Sequence, residues 1–307
     1  AGFARERIFA IPSSIGGRYS LTSAMGLPVA LAVGWSPFAA MLAGAHAIDR
    51  HFATAPMEAN LPVRMGLSDF WMKAIRGTMS EVVVPYADDL DLFVDHLQQL
   101  DLESNGKRVL ARDGAPLETA SAVPLWGRRG TNSQHAFFQM LHQGTSNNLV
   151  TFIGVRAGWS PHPGHDRLLL ANLLGQASAL ALGRDETAAR KELAARGLDA
   201  GEIERLAPHL VSPGGQPSRI LLLDRLDPDR FGRLMALFEH RTFVEGVAFG
   251  INPFDQWGVE YGKRLAGAAA DLLAGGETTA GGISAGLDPA ARALLDRLAA
   301  KEREKAG

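Results

Sequence analysis

Four short apolar runs stand out along the chain, at Val82–Val84, Val123–Trp126, Leu149–Val155 and Ile220–Leu223. They are rich in β-branched residues and too short for helices. They therefore read as strands buried on both faces, the kind a parallel sheet needs. Around them apolar residues recur at helical spacing over 37–52, 88–101, 132–143, 166–182 and 229–241. Strand and helix patterns in alternation predict an α/β fold, a parallel sheet covered by helices on both faces. Gly214, Gly215 and Pro217 punctuate a loop before the last strand. GETTAGGISAG at 276–286 reads as a flexible connection to a terminal helix over 288–305, and no internal repeat is visible.

The 307 residues, 46% of them hydrophobic, suffice for a large core in one α/β domain or in two lobes. A formal charge of -2 supplies no basic field for nucleic acid, so an anionic ligand needs locally placed cations. The absence of cysteine removes disulfides, thiolate nucleophiles and cysteine metal sites together, and is compatible with a cytoplasmic location. No apolar run reaches the length of a membrane span, and AGFARERIFA lacks the apolar stretch of a signal peptide, so the chain reads as soluble.

The segment INPFDQWGVEYGK, residues 251–263, combines a turn, a helix start and a polar face. Asn252 and Pro253 suit a loop ending at a helix N-terminus, and Gln256 and Lys263 stand seven positions apart, two helical turns. On one helix face, an amide and an ammonium about 10 Å apart would hold two ends of a polar, anionic small molecule. The competing reading is a capped amphipathic helix in which Phe254, Trp257, Val259 and Tyr261 pack and Lys263 is solvated. Taken alone, the segment favours that second reading.

Three more side chains stand where local geometry gives them chemistry. Glu103 follows the 88–101 helix and precedes Asn105 and Gly106, a pair suited to a left-handed turn ending a helix. A negative helix end and burial both raise a carboxylate's pKa, which suits a general base, although an exposed turn glutamate is the commoner fate. Thr131 and Gln134 have the spacing of a capping box, which puts His135 in the first turn of a helix. The positive helix end there favours a neutral, proton-accepting imidazole, while a satisfied structural histidine fits the sequence equally, with His142 two turns along the same face. Arg18 follows Gly16 and Gly17, and either stabilises an oxyanion or forms a surface salt bridge at a tight turn. HPGHD at 162–166 is assigned no metal, and no dinucleotide fingerprint or Walker-type loop is present, so no cofactor is expected.

These segments resemble the signatures of the phosphoglucose isomerase family. FDQWGVEYGK at 254–263 departs from the family's FDQWGVELGK only at Tyr261, and GGRYSLTSAMG at 16–26 resembles its other signature. LESNGK at 102–107 and GTNSQHAFFQMLHQGT at 130–145 match two further motifs in the family's order. GAHAIDRHF at 44–52, LLANLLGQ at 169–176, LAPH at 206–209 and FEHRTFVEG at 238–246 extend the similarity across almost the whole chain. The resemblance implies an αβα sandwich of the sugar isomerase type with C-terminal helices, a homodimer, and interconversion of glucose 6-phosphate and fructose 6-phosphate through an enediolate. It further implies Glu103 as the base moving the proton between C1 and C2, and His135 as the ring-opening group donated to the partner's site. Arg18 would stand at the enediolate, Lys263 near the sugar ring oxygen and Gln256 near the phosphate end.

Two departures from the family pattern matter. Residues 127–131 read GRRGT where the family usually has GEPGT, so Arg128 replaces an acidic residue beside the histidine motif. The resemblance also covers only the C-terminal part of the pattern, without the N-terminal lobe whose serine and threonine loops bind the substrate phosphate. The expected organisation is 1–20 as the end of that lobe with the Arg-bearing loop, 21–250 as the αβα domain, and 251–307 as the C-terminal active-site helix and tail. The leading reading is an isomerase portion, weak or inactive without its phosphate contacts. The alternative is a noncatalytic or degenerate sugar-phosphate-binding module, against which retention of all five chemical positions argues.

Overall fold

The computed structural model describes residues 4–158, 162, 164–273 and 287–306. In chain order the helices and strands are α1 (Leu27–Val33), α2 (Trp35–Thr54), α3 (Leu61–Ala74), β1 (Ser80–Tyr86), α4 (Asp91–Asn105), β2 (Leu125–Gly127), α5 (Gly130–Gln134) and α6 (Phe138–Gln143). There follow β3 (Asn148–Ala157), α7 (His165–Leu182), α8 (Glu186–Ala195), α9 (Ala200–Leu210), β4 (Ser218–Arg225), α10 (Pro228–Phe249), α11 (Glu260–Leu273) and α12 (Pro289–Ala306). One compact unit runs to Phe254 and a second begins at Asp255.

Each apolar run overlaps one of the four strands, which form a wholly parallel sheet in the order β2-β1-β3-β4; β2 takes in only Leu125 and Trp126 of its run, and β4, expected to be buried on both faces, leaves Ile220 and Leu222 exposed. Successive residues of β1 serve opposite faces, as the strand period requires. Val83 joins Phe38, Met65, Phe93, Leu97 and Phe238 in a core beneath α2, α3, α4 and α10. Val82, Val84 and Tyr86 join Phe138, Leu141, Phe152, Leu173 and Leu180 beneath α6 and α7. The first unit is thus an αβα sandwich.

The helical segments over 37–52, 88–101, 166–182, 229–241 and 288–305 all correspond to helices, and α10 runs on to Phe249, where Gly250 at φ 70° caps it in the left-handed region. The segment expected as one helix over 132–143 is instead two short ones, α5 and α6, broken at 135–137. Apolar spacing missed α3 because its buried face carries Asp69 and Lys73 among Met65 and Gly66. It missed α8 and α9 because these pack mainly on each other through the small cluster Ala189, Leu193 and Ala207. Gly214 and Gly215 have the positive φ expected of their loop, 71° and 68°. The connection at 276–286 lies outside the described residues.

Candidate active site

α4 is helical because Leu90, Phe93, Val94, Leu97 and Leu100 line one face and bury it against the sheet. Its last turn carries Glu103, Ser104 and Asn105. The helix does not close with the left-handed turn expected of Asn105 and Gly106. Gly106 has φ −69°, and a glycine is needed there because a Cβ would run into the Leu102 carbonyl oxygen. The terminal carbonyls find side-chain donors: Ser121 Oγ to Asn105 O at 2.5 Å and Lys107 Nζ to Glu103 O at 2.7 Å.

A buried ion network anchors this turn from below. Arg241 pairs with Asp69 at 2.5 Å, with Asp101 at 3.5 Å, with Glu245 at 2.7 Å, and with Glu81. Lys73 donates to Glu245 at 2.6 Å and to Asp101 at 3.4 Å, and Arg219 reaches Asp69 at 2.5 Å. Asn105 Nδ2 donates to Asp101 Oδ1 at 3.2 Å, tying the network to the residues that flank Glu103 and Ser104. Burial pushes the Asp69 carboxyl up, but Arg219 and Arg241 outweigh it and hold it below the usual range. For Glu245 burial prevails over Arg241 and Lys73 and raises the carboxyl to about 8.

Above this network Arg18 joins three distant parts of the chain. It is buried rather than at the surface, with 4% of its area exposed. Its Nε donates to Ser104 Oγ at 2.6 Å, its Nη2 to the Pro253 carbonyl at 2.7 Å, and its Nη1 lies 3.3 Å from Glu103 Oε2. The Glu103 side chain is the partner that reaches solvent, 24% exposed against 1% for Arg18. Tyr19 Oη shares a 2.9 Å hydrogen bond with Ser104 Oγ, and burial raises the Tyr19 hydroxyl's pKa against the lowering pull of Ser104 and Arg18. Asn252 Oδ1 accepts from Phe254 N at 3.1 Å, a turn that presents the Pro253 carbonyl, and Phe254 packs on Tyr19.

His135 is placed differently from expectation. The side chain of Thr131 does not cap α5, whose N-cap is Arg129, and His135 is the exposed C-cap residue of this one-turn helix. The positive-end argument therefore does not apply to it. Gln134 Nε2 donates to Tyr86 Oη at 2.8 Å and to Asn172 at 3.3 Å, which holds α5 on the α7 side of the sheet, beyond the C-terminal end of β1. Glu103 lies on the other side, near Glu81 at the strand's start, since Arg241 contacts both Glu81 and Asp101. Five residues of β1 separate those levels, about 16 Å. Within one chain His135 and Glu103 are not brought together.

Gln256 and Lys263 belong to the second unit. Gln256, at φ −148°, precedes a 3-10 turn over Trp257–Val259, and α11 begins only at Glu260. The two side chains are therefore not two turns apart on one helix. Lys263 Nζ donates to Glu260 Oε1 at 3.1 Å and is exposed. Trp257, Val259 and Tyr261, which the competing reading had packed, are exposed, while Phe254 is half-exposed and lies against Tyr19 and Phe243. Arg128 and Arg129 are neutralised locally: Arg128 lies 3.9 Å from Asp91, and Arg129 lies 3.4 Å from Asp88 while its backbone N–H donates to Asp91 Oδ1. In the HPGHD segment Asp166 accepts from Gly158 N at 3.0 Å, and no metal-binding cluster occurs among the described residues.

Sequence reasoning passed over Ser104, Tyr19 and the Pro253 carbonyl, and the whole Lys73–Arg241 network. The signal for the network was present as Asp69, Lys73, Arg241 and Glu245 inside otherwise apolar helices. Ser104 gave no signal beyond its place next to Glu103.

Glucose-6-phosphate isomerases of Brucella ovis and Brucella canis are each 49% identical over 281 residues, 91% of this chain and 51% of each relative. The chain thus spans about half the length of the curated relatives it matches. A crystal structure of a glucose-6-phosphate isomerase from Chlamydia trachomatis superposes with a TM-score of 0.77 at 35% identity, covering 94% of this chain and 51% of that one. A hypothetical protein of Thermus thermophilus superposes with a TM-score of 0.64 at 25% identity, covering 85% of this chain and 57% of that one. The family model for phosphoglucose isomerase matches residues 1–295, and the chain belongs to that family.

Proposed function

We propose that this chain forms part of an aldose-ketose isomerase that interconverts glucose 6-phosphate and fructose 6-phosphate. The observation that carries the reading is the guanidinium of Arg18, in one family motif, which contacts Glu103 and Ser104 of a second and the Pro253 carbonyl immediately before a third. Glu103, solvent-facing beside a fixed cation, takes the proton from C2 of the open-chain aldose, and the electrons of the broken C–H bond form the enediolate. Transfer of the C2 hydroxyl proton to O1 and return of the carbon proton to C1, as the C2 carbonyl forms, complete the ketose. Arg18 offsets the negative charge that builds on the oxygens in between. His135 opens the sugar ring in the site of the partner subunit, because within its own chain it stands on the face of the sheet away from Glu103. Lys263 assists at the ring oxygen and Gln256 at the phosphate end.

The phosphate contacts come from an N-terminal lobe outside these residues, joined in a longer chain or supplied in trans. In the full assembly 1–20 closes that lobe, 21–250 is the sugar isomerase domain and 251–307 the C-terminal helices. The enzyme works without a cofactor, as a cytoplasmic homodimer. No helix among the described residues is long and apolar enough to cross a membrane, which is compatible with that setting.

The test is a coupled assay of fructose 6-phosphate conversion by the purified chain, with and without an added N-terminal lobe, using Glu103→Gln as control. Activity that appears with the lobe and vanishes in the variant is the expected result. Binding of fructose 6-phosphate with no turnover in either preparation would instead favour a noncatalytic sugar-phosphate module.

A further inference from the structure

We infer that a polar groove on the α7 side of the sheet, beside the starts of β3 and β4, binds a small anion carrying a phosphate or carboxylate group. Two cavities, of about 430 and about 210 Å³, share His142 and Ala179 and run between α6, the end of α7 and the segment that follows α9. The larger falls within the range of small-molecule sites, about 300–1,000 Å³. α4, which ends in Glu103, packs on the opposite face of the sheet, so the groove lies apart from the turn around Arg18. The sequence singles out His142, and the isomerase reading gives it no part.

The lining sets the sign of the ligand. Among the described residues no carboxylate lines either cavity, whereas Arg184, His142 and His209 all line the larger one. Arg184 is held from two sides, its Nε donating to Leu210 O at 2.7 Å and its Nη1 to Glu192 Oε2 at 2.6 Å. Its Nη2 hydrogens have no acceptor among the described residues. Glu192 also pairs with Arg196, so the three groups together keep one positive charge. Asp185, next to Arg184 in the chain, is engaged elsewhere, capping α8 by accepting from Ala188 N at 2.7 Å. Arg184 and Ser212 exchange both backbone hydrogen bonds across an antiparallel bridge, at 2.8 and 2.9 Å, which sets their side chains side by side. The Ser212 hydroxyl and the His209 ring make no hydrogen bond among the described residues. Gln176 Oε1 only accepts, so His142 Nε2 carries the hydrogen of their 2.8 Å bond. Nδ1 is then the ring atom left to a ligand, and it donates once the ring is protonated, which an adjacent anion favours. The walls are fixed as well: Gln143 Nε2 donates to the His209 and Val211 carbonyls at 2.9 and 2.7 Å, tying α6 to the segment opposite. A braced guanidinium beside a hydroxyl and two imidazoles suits the oxygens of a phosphate or carboxylate, and little ordering is needed to bind one.

The experiment titrates the purified chain, labelled with nitrogen-15, with inorganic phosphate and separately with citrate, in low salt near neutral pH. NMR follows the backbone amides and the Arg184 Nε–H, whose signal is assigned by its loss in Arg184→Gln. We expect saturable shifts at residues 139–147, 183–184 and 209–216 at anion concentrations up to about 10 mM. Arg184→Gln should weaken binding about tenfold or more, and His209→Ala and Ser212→Ala about two- to fivefold each. Arg184→Gln also gives up the contacts to Leu210 and Glu192, so His209→Ala, whose ring bonds nothing in the fold, stands in should that variant fail to fold. A response to phosphate alone assigns phosphorylated ligands to the groove, and a response to citrate alone assigns carboxylic acids. No saturable shift with either anion overturns the inference, as do shifts found only elsewhere in the chain or an affinity that none of the folded variants changes.

Discussion

Glu103 and His135 lie on opposite faces of the same parallel sheet. Glu103 stands at the end of α4, whose Asp101 shares Arg241 with Glu81 at the start of β1, while Gln134, next to His135, bonds Tyr86 at that strand's far end. If Glu103 is the base and His135 the ring-opening group, as proposed, the two that serve one sugar come from two chains. In the proposed homodimer, with the N-terminal lobe supplied, mixing Glu103→Gln with His135→Ala, each inactive, is expected to recover about a quarter of wild-type activity after subunit exchange, since about half the dimers are mixed and each holds one intact site. The coupled assay before and after exchange checks this. No recovery despite proven exchange would place both groups in one chain's site.

Breaking the buried network should be costly. Lys73 is wholly enclosed, and Asp101 and Glu245 hold its pKa above the ordinary lysine value despite the opposing effect of burial. Lys73→Ala removes one of the buried cations that face Asp101 and Glu245, leaving them to Arg241, and is expected to cost about 3–5 kcal/mol in urea unfolding. Adding Glu245→Gln should return part of that loss, because the two groups are in direct contact. A fully additive double variant would mean that the pair contributes no coupling.

Stability should fall from mild acid to mild base. Burial raises Glu245 to about 8 and, with Asp49 nearby, Glu239 to about 7. An unfolded glutamate titrates near 4.3, so between about pH 4.5 and 8 the native chain holds protons that the unfolded chain has released. Unfolding then becomes easier as pH rises, by up to about 1.4 kcal/mol per unit for each such proton. Asp69 and Asp227, held below the usual range, pull the other way only at more acid pH, where protonation removes their contribution. Urea midpoints are expected to be highest near pH 5 and to decline towards pH 8, with Glu239→Gln flattening the part below pH 7. Midpoints level across that range would remove both proton assignments.

The sheet was legible in the sequence because β1 and most of β3 are buried on both faces and so carry near-continuous apolar runs, as Val82, Val83 and Val84 do, whereas β4, expected to be buried on both faces, leaves Ile220 and Leu222 exposed. α3 was not, since Asp69 and Lys73 sit on its buried face and break the apolar spacing while satisfying each other's charge through Arg241 and Glu245. Arg18 and Glu103 were found as separate motifs. Their contact, and the Ser104 hydroxyl between them, depends on packing residues 86 positions apart, which no local spacing encodes. The helix expected to align Gln256 with Lys263 failed for a local reason: Gln256 has an extended φ, and a 3-10 turn stands between it and α11.

The end of α4 offers a sharp test of how closely the turn carrying Glu103 is fitted. Gly106 has an ordinary negative φ, so alanine would suffer no backbone penalty there, and the only obstacle is the collision of its Cβ with the Leu102 carbonyl oxygen. That oxygen already accepts the Gly106 N–H at 3.0 Å, so relief requires the last turn to unwind and Glu103 to shift. Gly106→Ala is therefore expected to cost about 1–3 kcal/mol in stability and to lower kcat more than a distant substitution of equal cost. Gly17→Ala is the control, because a Cβ at Gly17 meets no atom within 4 Å, and its stability should stay within about 0.5 kcal/mol of wild type. Thermal and urea unfolding of the two variants decide the matter. Equal stabilities would show that the α4 terminus yields without cost, and that the turn carrying Glu103 is not held by this contact.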